Sequence, residues 1–448
     1  IGAEDEPLKP YLDAEAIIQV AKKCGAEAIH PGYGFLSENF EFARLCQQNG
    51  IVFIGPDPDV MQQLGDKVMA KEIARQCNVP LIESSQQPLT SLEVALSEAG
   101  RIGLPLMLKA AAGGGGRGMR VIRTEEELQK SFTEARREAK NAFGDDTVFF
   151  EKFIDQPKHI EVQIVADRHG NVMHLFERDC SVQRRFQKIV EVAPAFSLPQ
   201  PVKNQVYQYA IAICKAVNYN NVGTVEFLVD KNHQVYFIEV NPRIQVEHTV
   251  TEMITGIDLV KTQIHIAEGF QLHGKEIGLP QQADVRQNGF AIQCRITTEN
   301  PEADFMPDYG TVLAYRSAEG FGIRLDVGSV YNGVKISPFF DSLLVKVTAH
   351  SSTVIDAVRK LKRALMEFRI RGVETNIRFL LNIIKHPEFI AGNATVNFLQ
   401  QYPEIFNYNT AQDRGTKILT YLAEISINGH PDVKVKEKTK VFEKPLVP

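Results

Sequence analysis

Residues 223–243 predict a β-hairpin that carries one glutamate on each strand. Two runs rich in β-branched and aromatic residues flank a polar turn centred on Asn232-His233. This turn places Glu226 directly opposite Glu239. Like charges directly opposite each other destabilise a sheet, so a third group must offset them.

A divalent cation between the two glutamates satisfies this requirement. Magnesium binds through one or two carboxylates together with the phosphate oxygens of a nucleotide. The same register pairs Val229 with Tyr236, and period-two alternation puts Asn241 on the face of Glu239. A solvated hairpin face is the alternative, but the apolar composition of both strands argues against it. The hairpin predicts a magnesium–ATP site for phosphoryl transfer, with Glu226, Glu239 and Asn241 as the metal ligands.

A glycine-rich segment, residues 106–119, predicts a loop that closes over phosphates. It contains the spacing G-x-G-x-x-G, but Arg120-Val-Ile after it is typical of a strand and not of an opening helix. The segment is therefore not a Rossmann fingerprint, and without a Gly-Lys-Ser/Thr run it is not a P-loop either. Its unhindered backbone N–H groups suit a triphosphate, and Lys109 precedes the loop at the end of a predicted strand. A mobile linker between strands is an equally good interpretation of the loop alone.

Three cations lie close together in Arg184-Arg-Phe-Gln-Lys188. They could bind anions, but their spacing alone favours a plain solvated loop.

The order of predicted elements indicates a mixed α/β and α+β fold. Helices capped by Asp13 and Ser37, a helix from Val60 to Cys77, and short strands between them predict a partial doubly wound domain over residues 1–80. Residues 81–152 form a smaller unit, and residues 153–400 are rich in strands. The last part, 401–448, ends in a Lys- and Pro-rich stretch that is typical of a linker.

Composition limits the partners and the compartment. The formal net charge of -5 gives no reason to expect nucleic acid or an anionic membrane as a partner. Six cysteines without C-x-x-C spacing favour a reducing compartment without disulfides or a zinc site. We therefore expect the cytoplasm of a bacterium, or the mitochondrial matrix in a eukaryote.

Several long segments together resemble the ATP-grasp fold and, more narrowly, the biotin carboxylase module of biotin-dependent carboxylases. The matching segments occur in the order of that family: 30–39 (HPGYGFLSEN), 65–67 (GDK), 109–119, 177–185 (ERDCSVQRR) and 239–248 (EVNPRIQVEH). Later segments, 293–301, 305–310 and 368–376, look most like the pyruvate carboxylase branch. The resemblance implies an N-terminal biotin carboxylase domain, an ATP-grasp lid over 81–152, a central domain with a β-rich C-terminal subdomain to residue 400, and a linker toward a carboxyltransferase domain.

The resemblance also implies a role for individual residues. Nucleotide contacts are implied for Lys67, Lys109, Gly114, Gly115, Gly116, Met119, Glu151, Lys152, Ile154, His159 and Gln183. The bicarbonate site is implied to contain Lys188, Arg243, Gln245, the backbone of Val246, and Glu247. Arg324 is implied to sit beside biotin.

The implied chemistry is the ATP-dependent carboxylation of biotin, the half-reaction that precedes carboxylation of pyruvate to oxaloacetate. Glu247 would deprotonate bicarbonate, which attacks the γ-phosphate of ATP to give carboxyphosphate, with Mg²⁺ or Mn²⁺ bound. Arg324 would stabilise the charge that develops on the biotin ureido group. The family implies a homodimer of this module within a homotetramer.

Three departures from the family pattern matter. The opening β-α-β segment with its Ala-Asn-Arg-Gly-Glu run is absent, so we expect a chain truncated at its N-terminus. Phe186 stands where the family usually has histidine. No Ala-Met-Lys-Met run is present, so biotin is expected to arrive on a separate carrier domain. The same module of an acyl-CoA or urea carboxylase, another ATP-grasp ligase, and a non-catalytic ATP-binding regulatory module are the alternatives.

Overall fold

A computed structural model of the protein describes residues 6–111, 119–185, 187–328, 330–408 and 414–430. The chain divides into a main unit, Ile1–Phe406, and a second unit, Asn407–Pro448. The mixed fold class predicted from sequence is confirmed, since one parallel strand pair lies near the start and antiparallel sheets follow.

The first region surrounds two short parallel strands with helices. Its elements are α1 (Ala14–Lys23), β1 (Ala28–Ile29), α2 (Phe40–Gln48), β2 (Val52–Phe53), α3 (Pro58–Gly65) and α4 (Lys67–Gln76), with 3-10 helices at Lys9–Tyr11 and Phe35–Glu38. Ala28 pairs with Val52 in the parallel register. The Asp13 side chain caps α1 as predicted, by accepting a hydrogen bond from the backbone N–H of Ala16.

Two predicted helix boundaries in this region are wrong. Ser37 lies inside a 3-10 helix, and Asn39 caps α2 through a 2.8 Å bond from the Phe42 N–H. The single helix predicted from Val60 is broken in two at Asp66. The Asp66 side chain accepts bonds from the first N–H groups of α4, so a new helix begins there at Lys67.

The second region is a small antiparallel sheet covered by two helices. Its elements are α5 (Leu92–Ile102), β3 (Leu106–Ala110), β4 (Arg120–Ile122), α6 (Glu125–Phe143) and β5 (Val148–Lys152). Strand β3 lies between β4 and β5, and its buried residues Leu106 and Leu108 pack with Phe132 of α6. This sheet has a core of its own.

An eight-stranded antiparallel sheet dominates the remainder of the main unit. Its first part comprises β6 (Lys158–Ala166), β7 (Val172–Arg184), β8 (Gln187–Ala193), α7 (Gln200–Ala216), β9 (Asn221–Val229), β10 (Val235–Asn241), α8 (His248–Thr255) and α9 (Leu259–Ala267). The later part comprises β11 (Phe290–Thr297), β12 (Glu299–Asn300), β13 (Met306–Pro307), β14 (Ala314–Arg316), β15 (Ile323–Val327), β16 (Leu343–Ser351), α10 (Val354–Glu367), β17 (Arg369–Arg371), α11 (Ile377–Lys385), α12 (Pro387–Ile390) and α13 (Phe398–Gln401). The strand order of the large sheet is β10-β9-β6-β7-β8-β11-β16-β15, and β12–β13 and β14–β17 form separate pairs.

Alternation along the strands separates the core from the polar face of the sheet. On β6, Ile160 and Val162 enter a core shared with α4 and α7, as do Val225 and Phe227 on β9. The residues between them therefore face the opposite side. Glu161 of β6 and its neighbours on that side form the polar face described below.

The second unit contains α14 (Arg414–Asn428). Among the described residues of both units, none of the helices is long and apolar enough to cross a membrane.

Candidate active site

A cleft of about 2290 Å³ opens in the main unit. Strands β3 and β5, the polar face of β6, β9 and β10, and the ends of β15 and β16 form its walls. The predicted residues that line it are Lys67, Lys109, Met119, Glu151, Lys152, Ile154, His159, Gln183, Lys188, Glu226, Glu239, Asn241, Arg243, Gln245, Val246 and Glu247. Arg324 is not part of the lining, and Gly114, Gly115, Gly116 and Phe186 lie outside the described residues.

Three glutamates form a row across adjacent strands of the large sheet. Glu226 of β9 pairs with Glu239 of β10 on one side, as predicted, and with Glu161 of β6 on the other. Directly opposed residues place their side chains on one face. We call Glu161, Glu226 and Glu239 the glutamate row.

A β-bulge sets this register. The predicted pairing of Val229 with Tyr236 is wrong, because Val229 pairs with Val235. The register then shifts between Phe237 and Glu239, and the extra residue brings Glu239 into the glutamate row. Two errors of one residue, in the turn and at the bulge, therefore cancel at the glutamates.

Glu226 is the most heavily hydrogen-bonded member of the row. Its Oε1 accepts bonds of 2.8 Å from Lys188, Asn241 and Gln245, and its Oε2 lies 2.6 Å from Nε2 of His159. Burial acts to raise the pKa of Glu226, but Lys188 and His159 outweigh it and hold the pKa well below its usual range. For Glu239, burial and the charge of Glu226 raise the pKa. A cation is therefore favoured beside the pair.

Lys188 joins the glutamate row to the predicted catalytic base. Its Nζ lies 2.8 Å from Glu226 and 2.8 Å from Glu247, and it also contacts Glu161. Burial opposes the charged ammonium, yet the three carboxylates hold the pKa of Lys188 well above its usual value. The prediction that Lys188 belongs to a solvated loop is wrong, since the residue begins a buried part of β8.

Both oxygens of Glu247 are held by cations. Oε1 accepts from Lys188, and Oε2 accepts a 2.9 Å bond from Arg295. Burial acts to raise the pKa of Glu247, but Lys188 and Arg295 lower it below its usual range. Arg295 is itself anchored to the buried Glu191. The carboxylate is thus ionised and fixed in orientation.

Arg178 is a fully buried residue that sequence reasoning missed. Its guanidinium has five N–H donors. The structure gives five acceptors: Glu161, Gln163 at 2.7 Å, Gln245 at 2.8 Å, Thr251 at 2.9 Å and Thr224 at 3.1 Å. Arg178 thereby fixes both Glu161 and the amide of Gln245. An arginine inside an otherwise buried strand pattern was the signal that could have identified it.

The opposite wall of the cleft carries a second buried ion cluster. Glu151 of β5 lies 2.6 Å from Lys71 of α4 and also contacts Lys109 of β3. Burial acts to raise the pKa of Glu151, but the two lysines lower it. The Lys152 ammonium instead donates a 2.7 Å bond to the Gly103 carbonyl. Lys71 is therefore a further basic residue of the cleft, which the sequence analysis did not select.

His159 and Gln183, both predicted nucleotide contacts, lie side by side. The Gln183 amide nitrogen is 2.7 Å from Nδ1 of His159, and it also donates to the Cys180 carbonyl at 2.8 Å. Because Nε2 of His159 contacts Glu226, these two residues connect directly to the glutamate row.

The segment after β10 carries the other predicted residues. Arg243 contacts Glu38 at 2.9 Å through Nε and the side-chain oxygen of Asn241 at 3.3 Å through Nη2. Gln245 lies between Arg178 and Glu226 and bonds to both at 2.8 Å. Gln245 thus contacts the glutamate row directly, and Arg243 is connected to it through Asn241.

Arg324 occupies a different part of the site. Both of its bonds to Asp326 measure 2.9 Å, and it contacts Glu252 at 2.5 Å. Burial acts against its charge, but these carboxylates raise the pKa of the guanidinium. Asp326, unlike Arg324, lines the cleft, and the Arg324 side chain bonded to it is 30% exposed.

The side chains present fit a hard divalent cation. Ligand atoms of His159, Glu161 and Glu226 lie within 4.8 Å of one another. Glu239, directly opposite Glu226, adds a further carboxylate, and carboxylate oxygens are the ligands that magnesium prefers. The Asn241 side chain turns its amide nitrogen to Glu226 at 2.8 Å, and its oxygen accepts a 3.3 Å bond from Arg243. Two permanently charged cations, Lys188 and Arg178, bond to the glutamate row. Its three carboxylates outnumber them, so the electrostatics agree with the ligand chemistry.

Comparison with known families assigns most of the chain. Residues 1–61 match "Biotin carboxylase, N-terminal domain". Residues 66–275 match "Carbamoyl-phosphate synthase L chain, ATP binding domain", and residues 293–401 match "Biotin carboxylase C-terminal domain". The three matches follow one another along the main unit.

Similar proteins include pyruvate carboxylases and biotin carboxylase domains. The chain is 52% identical to the pyruvate carboxylase of Bacillus subtilis over 100% of its own length and 39% of that protein. It is 50% identical to the mitochondrial pyruvate carboxylase of Homo sapiens over 96% of its length and 36% of that protein. The chain therefore spans well under half of these relatives.

Solved structures agree with these similarities. The biotin carboxylase domain dimer of Hydrogenobacter thermophilus 2-oxoglutarate carboxylase, in complex with MgADP, ADP and bicarbonate, has a TM-score of 0.85 at 45% identity, with 91% of this chain and 88% of that chain covered. Rhizobium etli pyruvate carboxylase, with the allosteric activator acetyl coenzyme A, has a TM-score of 0.85 at 52% identity, with 99% of this chain and 39% of that chain covered.

Proposed function

The chain belongs to the biotin carboxylase family of ligases, and we propose that it carboxylates biotin with bicarbonate and ATP, as the first half-reaction of a pyruvate carboxylase. The observation that carries the proposal is the position of Lys188. It contacts the glutamate row on one side and Glu247 on the other. The Lys188 side chain thereby bridges the proposed phosphoryl-transfer centre and the proposed proton acceptor.

The nucleotide occupies the end of the cleft between Lys67, Lys109 and the glutamate row. Lys109 leaves Glu151 to contact a phosphate, and Lys71 remains as the partner of that carboxylate. Glu151, Lys152 and Ile154 line the adenine end, and His159 and Gln183 contact the ribose. Magnesium, or manganese in its place, would be held by Glu226, Glu239 and Asn241. The metal ion supplies neutralisation of the charge that spreads over the transferring phosphoryl group.

Bicarbonate binds between Lys188 and the segment from Arg243 to Glu247. Glu247 accepts the bicarbonate proton through the carboxylate that Lys188 and Arg295 hold in place. The bicarbonate oxygen then attacks the γ-phosphate of ATP to give carboxyphosphate and ADP. Arg243 and Lys188 provide the positive charge that this anion needs. Exclusion of water from the cleft protects the intermediate from hydrolysis.

Biotin reaches Arg324 on a carrier domain that lies outside residues 1–448. Arg324 suits a developing ureido oxyanion because its guanidinium stays protonated and is fixed by Asp326. A carboxyltransferase domain then uses the carboxylated carrier. We propose a homodimer of this module within a homotetramer, and the domain boundaries given in the sequence analysis. A bacterial cytoplasm or a mitochondrial matrix fits the sources of the relatives and the six free cysteines.

The decisive experiment measures ATP cleavage and carboxyl transfer by the chain. ADP release should require both bicarbonate and Mg²⁺, and free biotin should increase its rate. Labelled bicarbonate should appear in acid-labile carboxybiotin. A chain that binds ATP without bicarbonate-dependent cleavage would instead be a nucleotide-binding regulatory module. The full-length protein should carboxylate pyruvate, and activity only with an acyl-CoA or with urea would assign another branch of the family.

A further inference from the structure

A second set of like charges lies on the polar face of the large sheet, beyond the glutamate row. Lys346 of β16 pairs directly with Arg295 of β11 on one side and with Asp326 of β15 on the other. Two cations directly opposite each other destabilise a sheet, as two glutamates do. The nearby carboxylates therefore decide whether this pair is neutralised.

The carboxylates around the pair are already engaged by the two arginines. Arg295 is bonded to Glu191 and Glu247. Both oxygens of Asp326 accept 2.9 Å bonds from Arg324. Each arginine thus has carboxylate partners at hydrogen-bond distance.

Lys346 has no such partner among the described residues. The nearest carboxylate oxygen is that of Asp326, 3.9 Å from its Nζ. Its hydrogen bond goes to a neutral acceptor, the Val246 carbonyl, at 3.3 Å. An ammonium group has three donors, so most of its capacity is unused.

Burial makes this arrangement costly. Only 6% of the Lys346 side chain is exposed, and the ring of Tyr33 lies 5.6 Å from its Nζ. Burial and the two arginines lower the pKa of Lys346, and they outweigh the opposing charges of Asp326 and Glu191. A buried cation without a bonded carboxylate destabilises the unliganded protein. Lys346 lines the cleft, so a ligand there can reach it.

We propose that Lys346 is an anion-binding residue of the cleft, which contacts a small oxyanion beside the segment Val246–Glu247. The inference rests on the proposed function where it identifies this anion as bicarbonate or the carboxyl group derived from it. Inorganic phosphate shares the same oxyanion chemistry, and the experiment separates the two. The bound reactant, and not a carboxylate of the protein, thus neutralises the charge of Lys346.

A binding experiment tests this proposal without turnover. Lys346→Met keeps the length of the side chain and removes its charge. The unliganded variant should melt at the same temperature as the wild type or higher, because the uncompensated buried charge is gone. Wild-type protein should be stabilised by bicarbonate, and the variant should lose that shift. Lys275→Met, at an exposed position, should keep it. A variant that melts lower and still responds fully to bicarbonate would make Lys346 a structural residue and overturn the proposal.

Steady-state kinetics identify the anion. For Lys346→Met, the KM for bicarbonate should rise by about ten- to a hundredfold, which corresponds to one charge-assisted hydrogen bond. The KM for ATP should stay within about twofold, and Lys346→Arg should recover part of the loss. If product inhibition by phosphate weakens while the bicarbonate KM is unchanged, the anion is phosphate and the bicarbonate assignment is wrong. Unchanged values for both anions would reject the anion site. Absence of bicarbonate-dependent ATP cleavage in the wild type would reject the proposed function, and the thermal shift would still test Lys346.

Discussion

Glu226 lies directly opposite Glu239 on adjacent strands, and the pKa values of the two carboxyls move in opposite directions. Both are buried, but Lys188 and His159 keep Glu226 ionised. Burial and the charge of Glu226 both oppose the ionisation of Glu239. The pair therefore has one carboxylate that is satisfied within the protein and one whose charge needs an external cation.

The first prediction concerns Glu239→Gln. Removal of this charge should leave the unliganded protein equally stable or more stable by up to about 1 kcal/mol, the usual scale of a cross-strand charge pair. The concentration of Mg²⁺ that supports half-maximal activity at fixed ATP should rise at least about tenfold, because one oxygen ligand carries less charge. Thermal melting and a Mg²⁺ titration measure the two effects. The exposed Glu276→Gln should change neither, and a loss of stability with unchanged Mg²⁺ dependence would contradict the metal assignment.

The second prediction concerns Glu247→Gln. The amide cannot accept the bicarbonate proton, so the bicarbonate-dependent kcat should fall by about 10² to 10⁴. ATP binding should stay nearly intact, because Glu247 bonds to Lys188 and Arg295 and not to the predicted nucleotide residues. Single-turnover ADP release and ATP titration separate the two effects. Glu299→Gln, elsewhere on the cleft wall, is the matched control. Equal loss of ATP binding and turnover would make Glu247 a structural residue.

The hairpin illustrates how far sequence reasoning reached. Alternation and turn composition paired Glu226 with Glu239 correctly, but only because the one-residue error at Val229 and the unforeseen bulge cancel there. A bulge is a local departure that strand periodicity does not contain, so only the structure could place it at Ile238. The charges of Arg184 and Lys188 looked alike in sequence, yet Arg184 bonds to Asp304 while Lys188 enters the acidic centre. Which cation is buried depends on strands that are distant in sequence.

The partners of the buried Arg178 could not be predicted from the sequence. Arg178 bonds to Glu161, Thr224, Gln245 and Thr251, which lie on different elements of the fold. No local spacing joins these residues, since up to 73 positions separate them from Arg178. The sequence could indicate that a charged residue interrupts a buried strand, but not which groups satisfy it. Long-range polar partners require the tertiary structure.

The third prediction follows from that network. Arg178→Met should destabilise the protein by about 3–5 kcal/mol, because one partner of a buried ion pair is removed and four further acceptors lose their donors. Urea unfolding measures the loss. Arg168→Met removes an arginine from an exposed pair with Asp57 and should cost less than about 1 kcal/mol. Arg178→Lys should remain strongly destabilised, since three donors cannot replace a five-donor fork. Similar losses for Arg168→Met and Arg178→Met would contradict this account.

The fourth prediction concerns pH and a histidine outside the cleft. The ring of His174 stacks on Tyr207 with centroids 3.9 Å apart, and Nδ1 of His174 accepts the N–H of Phe176 at 3.3 Å. Burial lowers the pKa of His174 to about 4. The folded protein therefore keeps this ring neutral at a pH where the unfolded chain, with a pKa of about 6.5, already binds a proton.

The sign of the pH effect follows from this difference. A depressed pKa in the folded state means that the stability contributed by neutral His174 is complete above about pH 6.5 and is lost as the pH falls toward about 4. At about pH 5 the loss amounts to about 2 kcal/mol. His174→Gln stays neutral, and its amide oxygen can accept the same N–H. Urea unfolding measures the free energy of unfolding between about pH 7.5 and 5. Over this range the wild type should lose about 2 kcal/mol more than His174→Gln. Above about pH 7.5 the free energies of unfolding of the two proteins should change with pH in the same way, because the ring is neutral in both the folded and the unfolded state there. An equal loss in both proteins at about pH 5 would mean that other groups, and not His174, determine the acid sensitivity of the fold.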